Sequence, residues 1–324
     1  MRGITLTIFV LGLIAPPTFA EDLRQRCSPV DLKKTLGPVR DQDNLDWCYA
    51  FTAADVLSQA LRQEKKGVLG LTKDGFSRND VSPIQMAHEV QKKHPSRNLV
   101  DSQSFAGGSV AEALKSALSR GQICTDQEMD SRGGSNSPGL RRLQERADTE
   151  RDESADSLTT FNRKLSEDEI KRYCRRAIDE FAITSVKDPV RSRYNQKKRP
   201  AAEEAKVNQQ MREALDSALN QGRIAGIGYD SFFKKPAGAH ASSIIGRRII
   251  NGECHYRIRN SWGLSCKGYD APYDKQCQMG EIWVKEKELL PHVFSVDYIP
   301  ASDPRAREWQ RTTDEVNDKT YGRD

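Results

Sequence analysis

The sequence lacks a long apolar run beyond its first residues, and it lacks the basic, aromatic-rich stretches of nucleic-acid-binding proteins. The apolar run at 4–15 is shorter than the ~20 residues that span a bilayer, and no later segment is longer. Lysine and arginine are interleaved with aspartate and glutamate along most of the chain, and the formal net charge is only +5. We therefore expect neither a membrane span in the mature protein nor a nucleic-acid partner.

Histidine is scarce, with five in the chain, and no Asn-X-Ser/Thr acceptor for N-glycosylation occurs. The adjacent Cys254 and His255 could begin a metal site, but no partner ligands follow at the required spacing. The sequence thus predicts neither a metal ion nor an organic cofactor. The missing acceptor favours a bacterial periplasmic or extracellular protein. Nothing in the sequence indicates an oligomeric state.

The first twenty residues match the pattern of an export signal. Arg2 precedes the apolar run at 4–15, and Thr18 and Ala20 are the small residues that a signal peptidase requires before its cleavage point. We expect cleavage after Ala20 and a secreted or periplasmic mature protein. A retained signal anchor is the alternative.

The chain has seven cysteines, an odd number, so at least one stays outside any disulfide within the chain. The chain is expected to reach an oxidising compartment, where disulfides form. If Cys48 keeps its thiol, the other six can form up to three disulfides in any of 15 connectivities. Sequence reasoning favours only a pairing somewhere within the group Cys254, Cys266 and Cys277.

Helical patterns dominate the first part of the chain. Ser109 and Glu112 form a capping box that opens a helix ending at Gly121. Another apolar face at 170–181 predicts a helix that packs against the body from within a charged segment. A short helix is expected after Arg212.

Strand-like patterns follow these helices, which indicates an α+β protein with two lobes. The predicted strands are 224–229, 242–250, 256–259 and 281–284. We divide the chain into a signal peptide (1–20), an N-terminal strand and helical lobe with the nucleophile (21–126), a charged, mostly helical insertion (127–205), a β-rich lobe (206–301) and a disordered tail (302–324).

One cysteine and one histidine stand out chemically. Apolar residues at helical spacing predict a helix over 49–63, with Asn44 and Asp46 as candidate caps, so that Cys48 falls at a helix N-terminus. That position favours the thiolate, which is the nucleophilic form of cysteine. His240 stands at the entrance to an apolar strand, after a small-residue loop, and is the best-placed base.

Several blocks of the sequence resemble the papain family of cysteine peptidases. They read GPVRDQ at 37–42, WCYAF at 47–51, VSP at 81–83, SFAGG at 104–108, GAHA at 238–241, YRIRNSWG at 256–263 and GEIWV at 280–284. Gln42 precedes Cys48 by six residues, as in the family, and the blocks occur in the family's order. The resemblance extends from about residue 37 to residue 284. It implies a two-lobe papain-like fold with its active site in the cleft between the lobes.

The resemblance also implies a role for each matching residue. Cys48 corresponds to the nucleophile, His240 to its base, and Asn260 to the amide that orients the histidine. Gln42 corresponds to the side chain that completes the oxyanion hole. The implied activity is hydrolysis of peptide bonds in a peptide or protein substrate through an acyl-thioenzyme.

Four further residues match substrate-binding positions of the family. The resemblance implies that the backbone of Gly107 and Gly108 pairs with the peptide, while Ala239 and Trp262 lie beside the substrate. Trp262 is also expected to shield the hydrogen bond between the catalytic histidine and asparagine from water.

The sequence departs from the family near the nucleophile. Asp46 replaces a glycine, and its carboxylate opposes thiolate formation. Only about twenty residues separate the signal from Gln42, too few for the inhibitory propeptide that most members carry. His240 also follows Cys48 by more than the ~130–150 residues expected for the family, and the insertion accounts for most of this difference.

These departures keep two alternatives open. One is a catalytically weak homologue that binds peptides in its cleft. The other is different amide chemistry with the same triad, such as deamidation, transpeptidation or cleavage of cell-wall peptides.

Overall fold

A computed structural model describes most of the chain between residues 23 and 301. The described residues are 23–24, 26–42, 47–64, 80–93, 108–131, 174, 176–178, 181–188, 199–234 and 238–301. The predicted signal peptide, the charged tail, most of the insertion, the candidate caps Asn44 and Asp46, and Gly107 lie outside these residues.

The described helices belong to two groups, one beside each face of the central sheet. They are α1 (Cys48–Glu64), α2 (Pro83–Lys93), α3 (Val110–Arg120), α4 (Ala201–Asn220) and the short α5 (Glu286–Leu289). The first three pack on one another, and α4 packs on the strands. Within the described residues, no helix combines the length and apolar character needed to cross a bilayer.

The described strands form an eight-stranded antiparallel sheet and a separate two-stranded ribbon. They are β1 (Val30–Asp31), β2 (Gln122–Ile123), β3 (Arg176–Ala177), β4 (Thr184–Lys187), β5 (Ala225–Asp230), β6 (Ala239–Ile250), β7 (Glu253–Arg259), β8 (Cys277–Gln278), β9 (Glu281–Lys285) and β10 (Val293–Tyr298). The large sheet has the order β4-β10-β5-β6-β7-β9-β8, with β1 also paired to β6, and β2 pairs with β3. This architecture confirms the predicted α+β fold class.

Two apolar cores underlie this arrangement. The first is built mainly from α1, α2 and α3, and the second lies between α4 and the sheet. Helix α1 is buried on almost every side from Tyr49 to Leu61, because it packs between the other two helices and strand β6. A helix buried all round is held in place from several directions. Its first residue, Cys48, is therefore rigidly positioned relative to β6.

The capping box at the start of α3 is present as predicted. Ser109 accepts a hydrogen bond from the backbone N–H of Glu112 (3.2 Å), and Gly121 ends the helix in the left-handed conformation with φ 69°. The predicted helix over 49–63 and the four predicted strands are also confirmed, with small shifts at their ends.

The predicted helix over 170–181 is wrong where the structure describes it. Arg176–Ala177 forms strand β3, which pairs with β2 in the register Ile123↔Arg176. Cys174, two residues earlier, is bonded to Cys124. The disulfide holds this segment beside β2, so its backbone hydrogen bonds are made to a strand rather than within a helix. The predicted packing against the body holds, because Cys174 and Ile178 are buried.

The helix expected after Arg212 is longer than predicted. It begins at Ala201, so residues 201–205, which the sequence assigned to the insertion, form its first turns. Glu203 and Glu204 lie in the first turn, where negative charge stabilises the helix dipole.

All six cysteines other than Cys48 form disulfides. The pairs are Cys27–Cys254, Cys124–Cys174 and Cys266–Cys277. The last pair confirms the predicted pairing within the C-terminal group. Cys48 is the one cysteine outside these bonds.

Candidate active site

Cys48 is the first residue of α1. The carbonyl oxygen of Trp47 accepts hydrogen bonds from the N–H groups of Ala50 (2.8 Å) and Phe51 (3.1 Å), which closes the first turn. The backbone N–H of Cys48 is thus one of the amides at a helix N-terminus that have no acceptor within the helix. Its side chain is partly buried against the helical core. The helix dipole favours negative charge at this position.

His240 and Asn260 meet at one end of the sheet. His240 is the second residue of β6, and Asn260 directly follows β7. Because the two strands are antiparallel neighbours, the beginning of β6 lies beside the end of β7. The ring nitrogen Nε2 of His240 lies 2.6 Å from Oδ1 of Asn260, and both residues are buried.

The partners of Asn260 define the histidine tautomer. Oδ1 of Asn260 also accepts hydrogen bonds from the backbone N–H of Ser261 (2.8 Å) and from the hydroxyl of Ser242 (3.3 Å). A carbonyl oxygen can only accept, so Nε2 of His240 carries the hydrogen in this bond. In the neutral ring, Nδ1 is then the basic nitrogen.

Tyr229 lies near both Cys48 and His240. It is paired with His240 in the register of β5 and β6, and the two rings meet edge to face with centroids 5.7 Å apart. Burial raises the pKa of Tyr229 well above 10, and a negative charge on Cys48 adds to that shift. Cys48 and Ala241, the residue after His240, also pack in the same apolar core. The structure thus brings Cys48, His240 and Asn260 to one region.

Burial controls the charge of His240. It lowers the pKa of the imidazole from 6.5 to about 4, the hydrogen bond to Asn260 opposes this shift, and the positive charge of Lys234 reinforces it. A protonated His240 is therefore unfavourable unless a negative charge develops beside it.

Gln42 is anchored to the residue after Asn260. Its backbone N–H donates to the carbonyl of Ser261 (2.8 Å), and its side-chain Oε1 accepts from the hydroxyl of Ser261 (2.5 Å). The side chain is buried. Because its oxygen faces Ser261, the amide nitrogen is the end that can donate to a developing oxyanion.

Trp262 covers the histidine. The two ring centroids are 4.8 Å apart, and the Trp262 ring also packs against Phe233 and Tyr269. The ammonium of Lys234 lies 4.9 Å from the centroid of the same indole. The indole of Trp262 therefore packs against the imidazole of His240, and the shielding role expected for it stays a prediction.

The remaining predicted substrate residues lie on different elements. Ala239 is exposed at the start of β6, next to His240. Gly108 lies against Tyr49, the residue after Cys48, and a Cβ at this position would come within 2.5 Å of the Tyr49 ring. Glycine at 108 thus allows close packing of the chain on α1. Gly107 is outside the described residues.

A buried ionic network joins α1, the helix that begins at Cys48, to the strand that precedes Asn260. Asp55 of α1 accepts from Arg40 (2.6 Å) and from Arg259, the last residue of β7 (3.1 Å). Burial opposes the ionisation of Asp55, but the charges of Arg259 and Arg40 outweigh it and lower the pKa of this carboxyl.

Sequence reasoning missed several residues that contact this site. Tyr269 accepts a hydrogen bond from Nδ2 of Asn260 (3.2 Å), and the Tyr229 hydroxyl lies 2.9 Å from that of Ser242. Neither tyrosine belongs to a matching motif. Ser242 lies two positions after His240 on the same face of β6, which is the one sequence signal that could have identified it.

The sequence matches no protein-family model, and no curated protein is significantly similar to it. Solved structures with a similar shape include the digestive procathepsin L2 proteinase of Tenebrio molitor larval midgut, which is 12% identical, with a TM-score of 0.46 over 85% of this chain and 68% of that chain. The proform of the ragweed pollen cysteine protease Amb a 11 is 13% identical, with a TM-score of 0.45 over 91% and 69%. A structure concerning the mite allergens Blo t 1 and Der p 1 is 13% identical, with a TM-score of 0.44 over 90% and 73%.

Proposed function

We propose that this protein is a papain-like cysteine peptidase that hydrolyses peptide bonds in peptide or protein substrates through an acyl-thioenzyme. The observation that carries the proposal is the buried hydrogen bond of 2.6 Å between Nε2 of His240 and Oδ1 of Asn260. This bond leaves Nδ1 as the basic nitrogen of the ring. His240 lies on β6, the strand against which α1, the helix of Cys48, packs.

In the proposed reaction, Nδ1 of His240 takes the thiol proton of Cys48, and the thiolate attacks the carbonyl carbon of the scissile bond. The C–N bond then breaks, and the amine leaves with the proton from His240. The acyl group remains on the sulfur as a thioester. His240 next deprotonates a water molecule, whose attack on the thioester releases the acid and restores the thiol.

Two donors are available for the oxyanion that forms in each attack. They are the backbone N–H of Cys48 at the start of α1 and the side-chain amide of Gln42. Loss of one such donor lowers the rate by about 10²–10³-fold in other hydrolases. The hydrogen bond from Ser261 to Gln42 supports this role, because it holds the side chain in one orientation.

The electrostatics favour transfer of the thiol proton to His240 together with formation of the negative charge on the sulfur of Cys48. Burial holds the pKa of His240 at about 4, which makes an isolated imidazolium costly. A thiolate beside the ring offsets that cost, and the N-terminus of α1 favours the same negative charge. Formation of the thiolate and of the imidazolium is therefore expected as one step.

Export of the mature protein is part of the proposal. The three disulfides support an oxidising compartment, since cytosolic thiols are kept reduced. The N-terminal sequence pattern supports secretion or transfer to a periplasm.

The test is labelling of the purified mature protein with a peptidyl epoxide that traps papain-type thiolates, together with turnover of a peptide library. We expect labelling and turnover by the wild type, and neither by Cys48→Ala. His240→Ala is expected to label far more slowly than the wild type, because its thiolate has lost the proton acceptor.

The remaining outcomes distinguish the alternatives. Peptide binding without labelling or turnover would identify a binding protein and overturn the peptidase. Labelling with a product that forms only when an acceptor amine is present would identify transpeptidation.

A further inference from the structure

Asn260 is held at both ends of its side-chain amide. Its Oδ1 accepts from Ser261 and His240, while its Nδ2 donates to the hydroxyl oxygen of Tyr269 (3.2 Å). If the amide turned over, Nδ2 would face the Nε2–H of His240, and two donors would oppose each other. The backbone N–H of Ser261 can only donate, so it fixes which end of the amide faces His240, and the Tyr269 hydroxyl restrains the opposite end.

Tyr269 is suited to this contact over a wide pH range. Its side chain is buried, with 5% of the residue exposed. Burial raises the pKa of its hydroxyl to about 12. The group stays neutral under ordinary working conditions, so its oxygen keeps both a hydrogen and lone pairs that can accept from Asn260.

Tyr269 belongs to a loop at 264–279 whose ends lie close together. A Cβ on Gly280 would come within 2.1 Å of the carbonyl oxygen of Gly263. Within the loop, Cys266 is bonded to Cys277, and the carbonyl of Cys266 accepts from the N–H of Tyr269 (3.3 Å). The disulfide thus closes the loop around the tyrosine.

The loop also packs against the aromatic residues beside the histidine. The Tyr269 ring lies 5.4 Å from that of Trp262 and 5.2 Å from that of Phe233, measured between centroids. The N–H of Asp270 donates to the carbonyl of Phe233 (2.9 Å). These contacts with Trp262 and Phe233 hold the Tyr269 ring in place beside Asn260.

We propose that Tyr269 is a positioning residue for the reaction of Cys48 and His240, and that the disulfide-closed loop 264–279 holds it in place. This inference rests on the proposed function. Tyr269 does not touch the reacting atoms. It acts through Asn260, whose orientation determines whether Nδ1 of His240 is the basic nitrogen.

The decisive variant is Tyr269→Phe, which removes the hydroxyl and keeps the ring. We expect kcat to fall roughly two- to tenfold, the effect of one hydrogen bond, while KM stays near the wild-type value. The acid limb of the kcat/KM pH profile is also expected to move, because it reports the ionisation of the histidine pair.

The matched control is Tyr273→Phe. Tyr273 lies in the same loop and packs against Phe233 (6.2 Å between centroids), but its hydroxyl is near Glu288 rather than Asn260. We expect Tyr273→Phe to leave kcat and the pH profile unchanged. Equal effects of both substitutions would show a general role in packing and overturn the inference.

A second variant tests the loop. Cys266→Ala with Cys277→Ala is expected to lower kcat in the same direction, and adding Tyr269→Phe to it should lower kcat little further. If the effects of the loop and of the hydroxyl multiply as independent changes, the loop does not act through Tyr269, and that part of the proposal is wrong.

An NMR measurement separates failure of this inference from failure of the proposed function. The Nε2–H proton of His240 is expected to give a distinct downfield signal that shifts or broadens in Tyr269→Phe but not in Tyr273→Phe. This readout needs no turnover, so it decides the positioning role even in an inactive protein. An active wild type whose kcat, pH profile and His240 signal all survive Tyr269→Phe would refute the inference and leave the peptidase intact.

Discussion

The charge of His240 is set by its immediate surroundings. Burial lowers the pKa of this side chain to about 4, while Asn260 raises it and Lys234 lowers it further. A negative sulfur beside the ring would raise the pKa, because it favours the protonated imidazole. In the proposed pair, the charge of the histidine thus depends on whether Cys48 ionises.

We predict that Cys48→Ala and the wild type differ in the titration of His240. In the alanine variant the imidazole should be neutral at every pH well above 4, since no thiolate is present. In the wild type the imidazolium should persist to clearly higher pH. NMR titration of the ring signals of His240 measures both pKa values.

Identical His240 titrations in both proteins would contradict an ion pair with Cys48.

At the level of elements, helix α1, which begins at Cys48, and strand β7 are joined by buried ion pairs. Asp55 of α1 binds Arg40 and Arg259, and the two arginine side chains are only 6% and 3% exposed. Both guanidinium groups are largely removed from water, so their charges depend on nearby carboxylates, and Asp55 is the one they share. The network therefore holds Cys48 and Asn260 on elements with a fixed relative position.

Replacement of Asp55 by Asn should destabilise the protein strongly. We expect a loss of about 3–5 kcal/mol in the free energy of unfolding, because two buried guanidinium groups lose the carboxylate they share and keep only longer ion pairs, Arg40 with Asp126 (3.5 Å) and Arg259 with Glu281 (3.7 Å). Urea denaturation followed by tryptophan fluorescence measures this loss.

Glu253→Gln is the matched control. Glu253 pairs with Lys285 and Lys287 at the surface, where water screens the charges, so the unfolding free energy should hardly change. A comparable loss in both variants would show that burial of the Asp55 network has no special effect.

Across the whole molecule, the disulfides close loops of very different size. Cys27–Cys254 joins residues 227 apart in sequence and fixes the N-terminal segment to β7. Cys266–Cys277 joins residues only 11 apart. A longer closed loop removes more conformational freedom from the unfolded chain.

We predict a larger loss of stability from Cys27→Ala with Cys254→Ala than from Cys266→Ala with Cys277→Ala. The chain-entropy relation gives about 5 kcal/mol for the first pair and about 3 kcal/mol for the second. Urea denaturation without reductant tests the order. The reverse order would mean that native-state contacts, and not loop closure, determine the effect.

Features that depend on residues close together in the chain could be predicted from the sequence. The helix at Cys48, the capping box at Ser109 and the strands that carry His240 and Asn260 follow local periodicity and turn chemistry. The α+β class follows from the order of these patterns. The candidate triad could be predicted because each of its members lies in a short block with a recognisable composition.

Contacts between residues far apart in the chain are seen only in the folded structure. It paired Arg176–Ala177 with β2 instead of continuing a helix, chose one disulfide connectivity among many, and placed Tyr269 on the amide of Asn260. It also brought Asp55 into an ion pair with Arg259. None of these contacts has a local signature, because each arises from long-range packing that brings the partners together only in the folded chain.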